Sequence, residues 1–257
     1  MSPKRIFTLV VLLLVVAVLI AAASRSPKAD PSAQRNPAVI NKTKSLEIIS
    51  TVRTDQEVYL AFRNDYDKTV MAYVISCGDK VDQQRFEQDW AYSEIAEAGI
   101  LPHTAYEDHI SICGANEKQS NNPVVIEAVV LEGGTGDGNP AVVQEVKDEH
   151  LGQRIQIERT LKLLDDYLNL PLTKISVGDL RAQLLSALDP PEAENVAAVA
   201  KLQRASQVNR LSEQVKSGLG NSKSAVIHRL REAENAQNPR EAILRFKEDY
   251  KRILARL

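Results

Sequence analysis

Cysteine is nearly missing from this sequence: Cys77 and Cys113 are the only two among 257 residues, and they do not form a Cys-x-x-Cys pair. That spacing excludes the usual dithiol redox motif. Other signatures are missing too. There is no Gly-Lys-Ser/Thr ending to make a phosphate loop, and no Gly-x-Ser-x-Gly elbow to expose a nucleophile. Ser111 and Ser224 sit in contexts that do not suggest activation, and the adjacent Asp165 and Asp166 point to different faces of a helix. Aromatic residues make up 5% of the chain, with one tryptophan. No stacking aromatics therefore interleave the basic residues, as a nucleic-acid groove would need. The expectation is a protein without a cofactor, without nucleic acid and without a recognisable catalytic constellation.

What the chain does have begins with an apolar leader. Lys4 and Arg5 precede an apolar stretch from Ile6 to Ala23, which ends in Ala21-Ala22-Ala23 before Ser24. This reads as a secretory signal peptide, residues 1–23. Its eighteen residues also reach the lower limit for spanning a bilayer, so an uncleaved signal anchor is the rival reading. Both place the remainder outside the cytoplasm, periplasmic, secreted or membrane-tethered. In an oxidising compartment Cys77 and Cys113 are expected to be bridged, closing a loop worth roughly 3–4 kcal/mol in the loop-entropy model. Strand parity complicates the pairing, because Cys113 shares a face with His109 and Ser111, opposite Ile110 and Ile112.

Residues 24–43 carry three prolines and no apolar period, which predicts a linker. Asn41-Lys42-Thr43 matches the N-glycosylation pattern. From 44 to 138 the period is near two. Leu46, Ile48 and Val52 fall together, as do Val58, Leu60 and Phe62, and KTVMAYVISC, HISIC and PVVIEAVVL continue the pattern. Short strands with turn signals between them predict an antiparallel, Ig-like β-sandwich. The stretch from Lys80 to Leu101 fits either an irregular strand or a loop.

After Gly138 the period turns helical. Asn139-Pro140, Ser176 with Asp179, Asp189-Pro190 and Asn238-Pro239 open successive helices, giving an all-α region over 139–257 with four to five helices. The fold class is therefore α+β by segregation: sandwich first, helices second, behind a hydrophobic leader. The last helix repeats Ile243, Phe246, Tyr250, Ile253 and Leu257, a coiled-coil-like seam. A second apolar seam is expected over 196–218. If such seams pair between chains, the protein self-associates.

Charge divides along the same line. Residues 24–140 hold 11 basic and 18 acidic side chains, a net of −7; residues 196–257 hold 13 and 6, a net of +7. The basic helices either fold back on the acidic sandwich or bind an anionic lipid or cell-wall polymer through Lys247, Lys251, Arg252 and Arg256. Two metal ideas need weighing. His103, Glu107 and His109 suggest ligands, but six residues of strand separate the histidines by about 20 Å. EGGTGDGNP (132–140) offers Glu132, Asp137 and Asn139 without the spacing of a calcium loop. Its glycines serve better as a strand-to-helix turn.

TVRTDQEVYLAFRNDYDKTVMAYVIS, IEAVVLEGGTGDGNPAVVQEV and HLGQRIQIERTLKLL together resemble a group of uncharacterised secreted bacterial proteins. Members of that group pair a small Ig-like sandwich with a helical stretch. The resemblance covers about residues 46–168 and implies the fold, without an activity. The working expectation is an extracytoplasmic, non-enzymatic binding protein of unknown partner; a docking protein for anionic surfaces is the alternative, and a metal-assisted hydrolase the remote one.

Overall fold

The computed structural model describes residues 38–53, 57–77, 84–91, 93, 98–110, 123–170, 176–204 and 208–257. The leader, most of the linker and Cys113 lie outside the described residues. Among the described residues eight strands come first: β1 (Val39–Asn41), β2 (Leu46–Arg53), β3 (Val58–Asn64), β4 (Val70–Cys77), β5 (Gln84–Asp89), β6 (Ala105–Ile110), β7 (Val124–Leu131) and β8 (Gly136–Gly138). Five described helices follow: α1 (Pro140–Leu168), α2 (Val177–Ala187), α3 (Glu192–Gln203), α4 (Glu213–Glu234) and α5 (Pro239–Arg256). None of the described helices is long and apolar enough to cross a membrane.

The strands form two sheets. Sheet A has the order β1-β7-β4-β5, with β8 also paired to β7, and sheet B has the order β2-β3-β6. Leu46, Leu60, Phe62 and Ile110 of sheet B pack against Tyr73, Ile75, Ile126 and Val129 of sheet A to fill the core between them. The stretch from Lys80 to Leu101 does supply a strand, β5, antiparallel to β4. The expected linker ends early. Val39–Asn41 pairs parallel with Val124–Ile126, because Val39 finds a place beside the sandwich core. The glycosylation triplet is folded in as well. Asn41 donates through Nδ2 to Leu46 O at 2.6 Å and accepts from Thr43 through Oδ1, so a glycan there would displace a bond of the fold.

One register detail departs from the alternation. A bulge at Ile49 sets Ile48 opposite Phe62 but Ser50 opposite Ala61, which moves Val52 opposite the exposed Tyr59. Opposed residues share a face, so Val52 lies on the outside of sheet B, away from Leu46 and Ile48.

β4 has no solvent face: all eight residues are buried. Tyr73, Ile75 and Cys77 point between the sheets, while Ala72 and Val74, with Val130 of β7, lie beneath Val142 and Val146 of α1. The helices are thus a third layer on sheet A. Gly138 makes the turn into that layer, at φ +103°, with its α-carbon so close to β7 that a β-carbon would stand 2.4 Å from Glu127 O. Asn139 then caps α1, accepting from Ala141 N at 3.2 Å.

The helical region packs around α1. Ile157 and Leu164 meet Leu180, Leu184, Val226, Leu230 and the α5 seam of Ile243, Phe246, Tyr250 and Ile253. The coiled-coil-like seam is therefore buried within this chain. The expected 196–218 seam is divided, since Arg204, at φ +50°, ends α3; Val199, Leu211, Val215 and Leu219 nevertheless share one small core with Ile155. Capping follows the sequence signals at two more of the expected starts: Ser176 and Asp179 form a reciprocal capping box, and Asn238 accepts from Glu241 N at 3.3 Å. The expected Asp189-Pro190 start is displaced: Pro191 is the N-cap of α3 with no side-chain bond, and Asp189 pairs with Lys223 at 3.1 Å instead.

α1 and α4 approach to backbone contact at Gly152 and Gly218. A β-carbon on Gly218 would stand 2.0 Å from Glu149 O, and one on Gly152 2.2 Å from Val215 O, both against rigid backbone. Gly218→Ala should therefore destabilise the protein by at least about 2 kcal/mol. Exposed Gly220, whose added β-carbon would meet nothing within 4 Å, is the control. At that helical position alanine should be neutral or stabilising by up to about 1 kcal/mol. Urea unfolding of the two variants checks the pair.

Candidate functional site

Polar groups gather where β7, β8 and α1 meet. In β7 the pairing steps from Ala128, opposite Val74, to Ile126, opposite Ile75, leaving Glu127 as an extra residue in a bulge. Its carboxylate is buried and fully engaged. Oε1 accepts from Ser76 Oγ at 2.8 Å; Oε2 accepts from Lys42 Nζ at 2.6 Å and, at 3.4 Å, from Asn139 Nδ2. Burial alone would push this carboxyl up, but the bonds from Lys42, Ser76 and Asn139 outweigh it and hold the group below the usual carboxylate range. Glu127 is consequently an anion that ties β1, β4 and the start of α1 together, with no proton to give at neutral pH.

Asp137 of β8 does the same for the chain between β1 and β2. Its Oδ2 accepts from Lys44 N at 2.6 Å, Ser45 N at 2.7 Å and Ser45 Oγ at 2.8 Å. Again burial pushes upward; the hydroxyl of Ser45 and the amides of Lys44, Ser45 and Gly138 outweigh it and lower the group. The glycine-rich loop is thus a structural corner: Asp137 holds backbone amides, Asn139 caps a helix, and neither is left to bind calcium.

A second polar seam joins β5 to α1. Nε2 of His150 lies 3.0 Å from Asp89 Oδ2, both side chains being largely buried. Arg85 pairs with Glu145 of α1 and, at 3.0 Å, with Glu87. At the far end, Arg256 donates to Ser93 O at 2.7 Å. Between the two sheets, the Tyr73 hydroxyl donates to Asp108 inside a cluster formed by Phe62, Phe86, Trp90 and Tyr106. Burial, then the Asp108 carboxylate, raises the Tyr73 phenol far above its ordinary range.

The residues singled out from sequence fall as follows. His103 sits in the turn before β6 with Nε2 3.0 Å from Asp67 Oδ1. Glu107 and His109 lie on the outer face of β6, where His109 meets the Tyr59 ring edge-on at 5.3 Å. No three potential ligands gather for a metal among the described residues. The four basic residues share α5, yet each has an acceptor from this chain: Asp165 for Lys247, Glu248 for Lys251, Asp249 for Arg252 and Ser93 O for Arg256. Cys77 is buried in the inter-sheet core at the end of β4; its expected partner, Cys113, lies outside the described residues.

Sequence reasoning passed over Glu127 and the His150–Asp89 pair. A signal for the first was present, a single carboxylate inside the apolar run VVIEAVVL. Comparison of the chain with family models, curated proteins and solved structures returned no match, so the resemblance over residues 46–168 assigns no family.

Asp137 and Glu127 both have depressed folded-state values, so their contribution to stability is present above the ordinary carboxylate range and is lost as pH falls through the depressed values. Asp137→Ala should cost about 1–3 kcal/mol at neutral pH, because it strands the buried Ser45 amide and hydroxyl. The same variant should lose less stability than the wild type on acidification below about pH 4. Denaturant midpoints measured across that range check both effects.

Proposed function

We propose that this chain is an extracytoplasmic, non-enzymatic binding protein in which an Ig-like sandwich is braced by its helical region. The strand order supports the Ig-like reading. Taken in chain order from β2, the sheet β2-β3-β6 corresponds to strands A, B and E, and β5-β4-β7-β8 to C′, C, F and G, with β1 added at the β7 edge. A bridge from Cys77 to Cys113 would staple β4 to the segment that links β6 to β7.

The observation that carries the binding reading is the unequal cover of the two sheets. α1 lies on the outer face of sheet A, while the outer face of sheet B presents Tyr59, 39% exposed, with Val52, Ala61 and His109 around it. An aromatic side chain on an exposed strand face suits a protein partner better than a small ligand, which needs a cavity. The buried carboxylates and imidazole described above also have structural partners, which fits a binding role better than catalysis.

Two experiments test this. A photo-crosslinking amino acid at position 59 of the full chain, expressed in its own host, should give one discrete protein adduct that the same group at exposed Leu244 does not give. Equal labelling at both positions, or none at Tyr59, contradicts the reading. The alternative, docking of α5 on an anionic surface, predicts sedimentation with anionic vesicles that is lost at high salt. The ion pairs of Lys247, Lys251 and Arg252 argue against it, and the binding reading expects no sedimentation at physiological salt. Intact mass without reductant reports leader removal and the bridge: alkylation should fail until the protein is reduced.

A further inference from the structure

A cavity of about 360 Å³ lies where the two helical cores meet, between α1, the α2–α3 turn and α4. Small-ligand sites run from about 300 to about 1,000 Å³, so it is large enough for a small one. Leu188 of one core, with Leu211 and Leu219 of the other, forms its apolar lining, and all three are buried. Gln156 of α1, 2% exposed, lines it too and is fixed in place: Nε2 donates to Leu188 O at 2.8 Å and to Leu219 O at 3.4 Å. Charges of opposite sign come from different elements, Lys216 and Lys223 from α4, Asp189 from the α2–α3 turn and Glu192 from α3. Lys216 pairs with Glu213 at 3.0 Å and Lys223 with Asp189 at 3.1 Å, whereas Glu192 forms no ion pair with another described residue. Both acids in those pairs are exposed, and such pairs contribute little, so a ligand carboxylate can replace either at small cost.

Gly220 is the residue that packing does not explain. Gly152 and Gly218 are imposed by the α1–α4 contact, but a β-carbon on Gly220 would meet nothing within 4 Å. Glycine inside a helix is less favourable than alanine, and a local rule broken without a packing reason is where function is expected. Lys216, Gly220 and Lys223 lie about one turn apart on one face of α4. The missing side chain therefore leaves open the part of the cavity between the two ammonium groups.

We propose that this cavity binds a small zwitterion with an apolar body, the chemistry shared by a free amino acid and a short peptide. The ligand's carboxylate sits over Gly220 and takes charge-assisted bonds from Lys216 and Lys223. Its ammonium group faces the carboxylate of Glu192, and its apolar body lies on Leu188, Leu211 and Leu219. A simple anion would leave Glu192 unanswered and repelled, and a simple cation would meet the two lysines. Only a molecule that carries both charges satisfies both sides.

The cavity belongs to the helical region and stands independently of what sheet B binds. Calorimetric titration of the full chain with L-leucine and with L-leucyl-L-leucine tests it. At least one of the two should bind with a Kd between about 1 μM and 1 mM, and the tighter one tells amino acid from peptide. Isocaproate, which lacks the ammonium group, and isoamylamine, which lacks the carboxylate, should each bind at least about tenfold more weakly than the better zwitterion. Gly220→Leu puts a side chain into the open space; its urea midpoint should equal or exceed that of the wild type. The same variant should bind the better zwitterion at least about tenfold more weakly. Lys223→Gln, which removes one ammonium group, should weaken binding about threefold or more and decides the matter should Gly220→Leu fail to fold. Binding of neither zwitterion overturns the proposal. So does isocaproate or isoamylamine binding as tightly as the better zwitterion, or a folded Gly220→Leu variant with wild-type affinity.

Discussion

Sheet A is buried on both faces, and the rest of the molecule is arranged around that constraint. β4 offers no side chain to water, so Ala72 and Val74 need cover as much as Tyr73 and Ile75 do. Sheet B covers one face and α1 the other. Fully burying a side chain such as Val74 or Val146 contributes about 1.5–3 kcal/mol, so losing the helix layer would remove several kcal/mol from a protein whose net stability is of the same order. The position of α1 is fixed at its first turn, where Gly138, Asn139 and the buried Glu127 convert the end of the sheet into the start of the helix.

From that anchor the helical region grows in one direction. Gly152 and Gly218 bring α1 and α4 to backbone contact, and Ser212 of the α4 cap bonds Asp148 of α1 at 2.7 Å. α5 then returns along α1 with its apolar seam inside, and Arg256 reaches Ser93 beyond β5. The opposite charges of the two halves, visible in the sequence, meet only in part across the boundary. Most α5 cations pair within the helical region, as Lys247 does with Asp165.

The sequence disclosed the fold class because the two periodicities do not overlap, and it disclosed helix starts because Asn139, Ser176 and Asn238 are capping residues in capping contexts. It misled where local pattern and tertiary context diverge. Val39–Asn41 follows a proline-rich stretch and is a strand only because β7 has an open edge beside it. The bulge at Ile49 reverses the face of Val52 without any mark in the alternation. The α5 seam looks the same in sequence whether its partner is another chain or α1 of its own. The candidate site was hardest of all. His150 and Asp89 are 61 positions apart, and nothing short of the packing of α1 on β5 brings them together.

The claim that sandwich and helices are one cooperative body can be tested in a single titration. Trp90, the one tryptophan, reports the sandwich, where it packs on Tyr73 and Tyr106. Far-ultraviolet dichroism at the helical minimum reports α1 to α5. Urea unfolding followed by both signals should give one transition with a common midpoint and slope. Separate midpoints, with the helices surviving loss of the tryptophan signal or the reverse, would contradict the account.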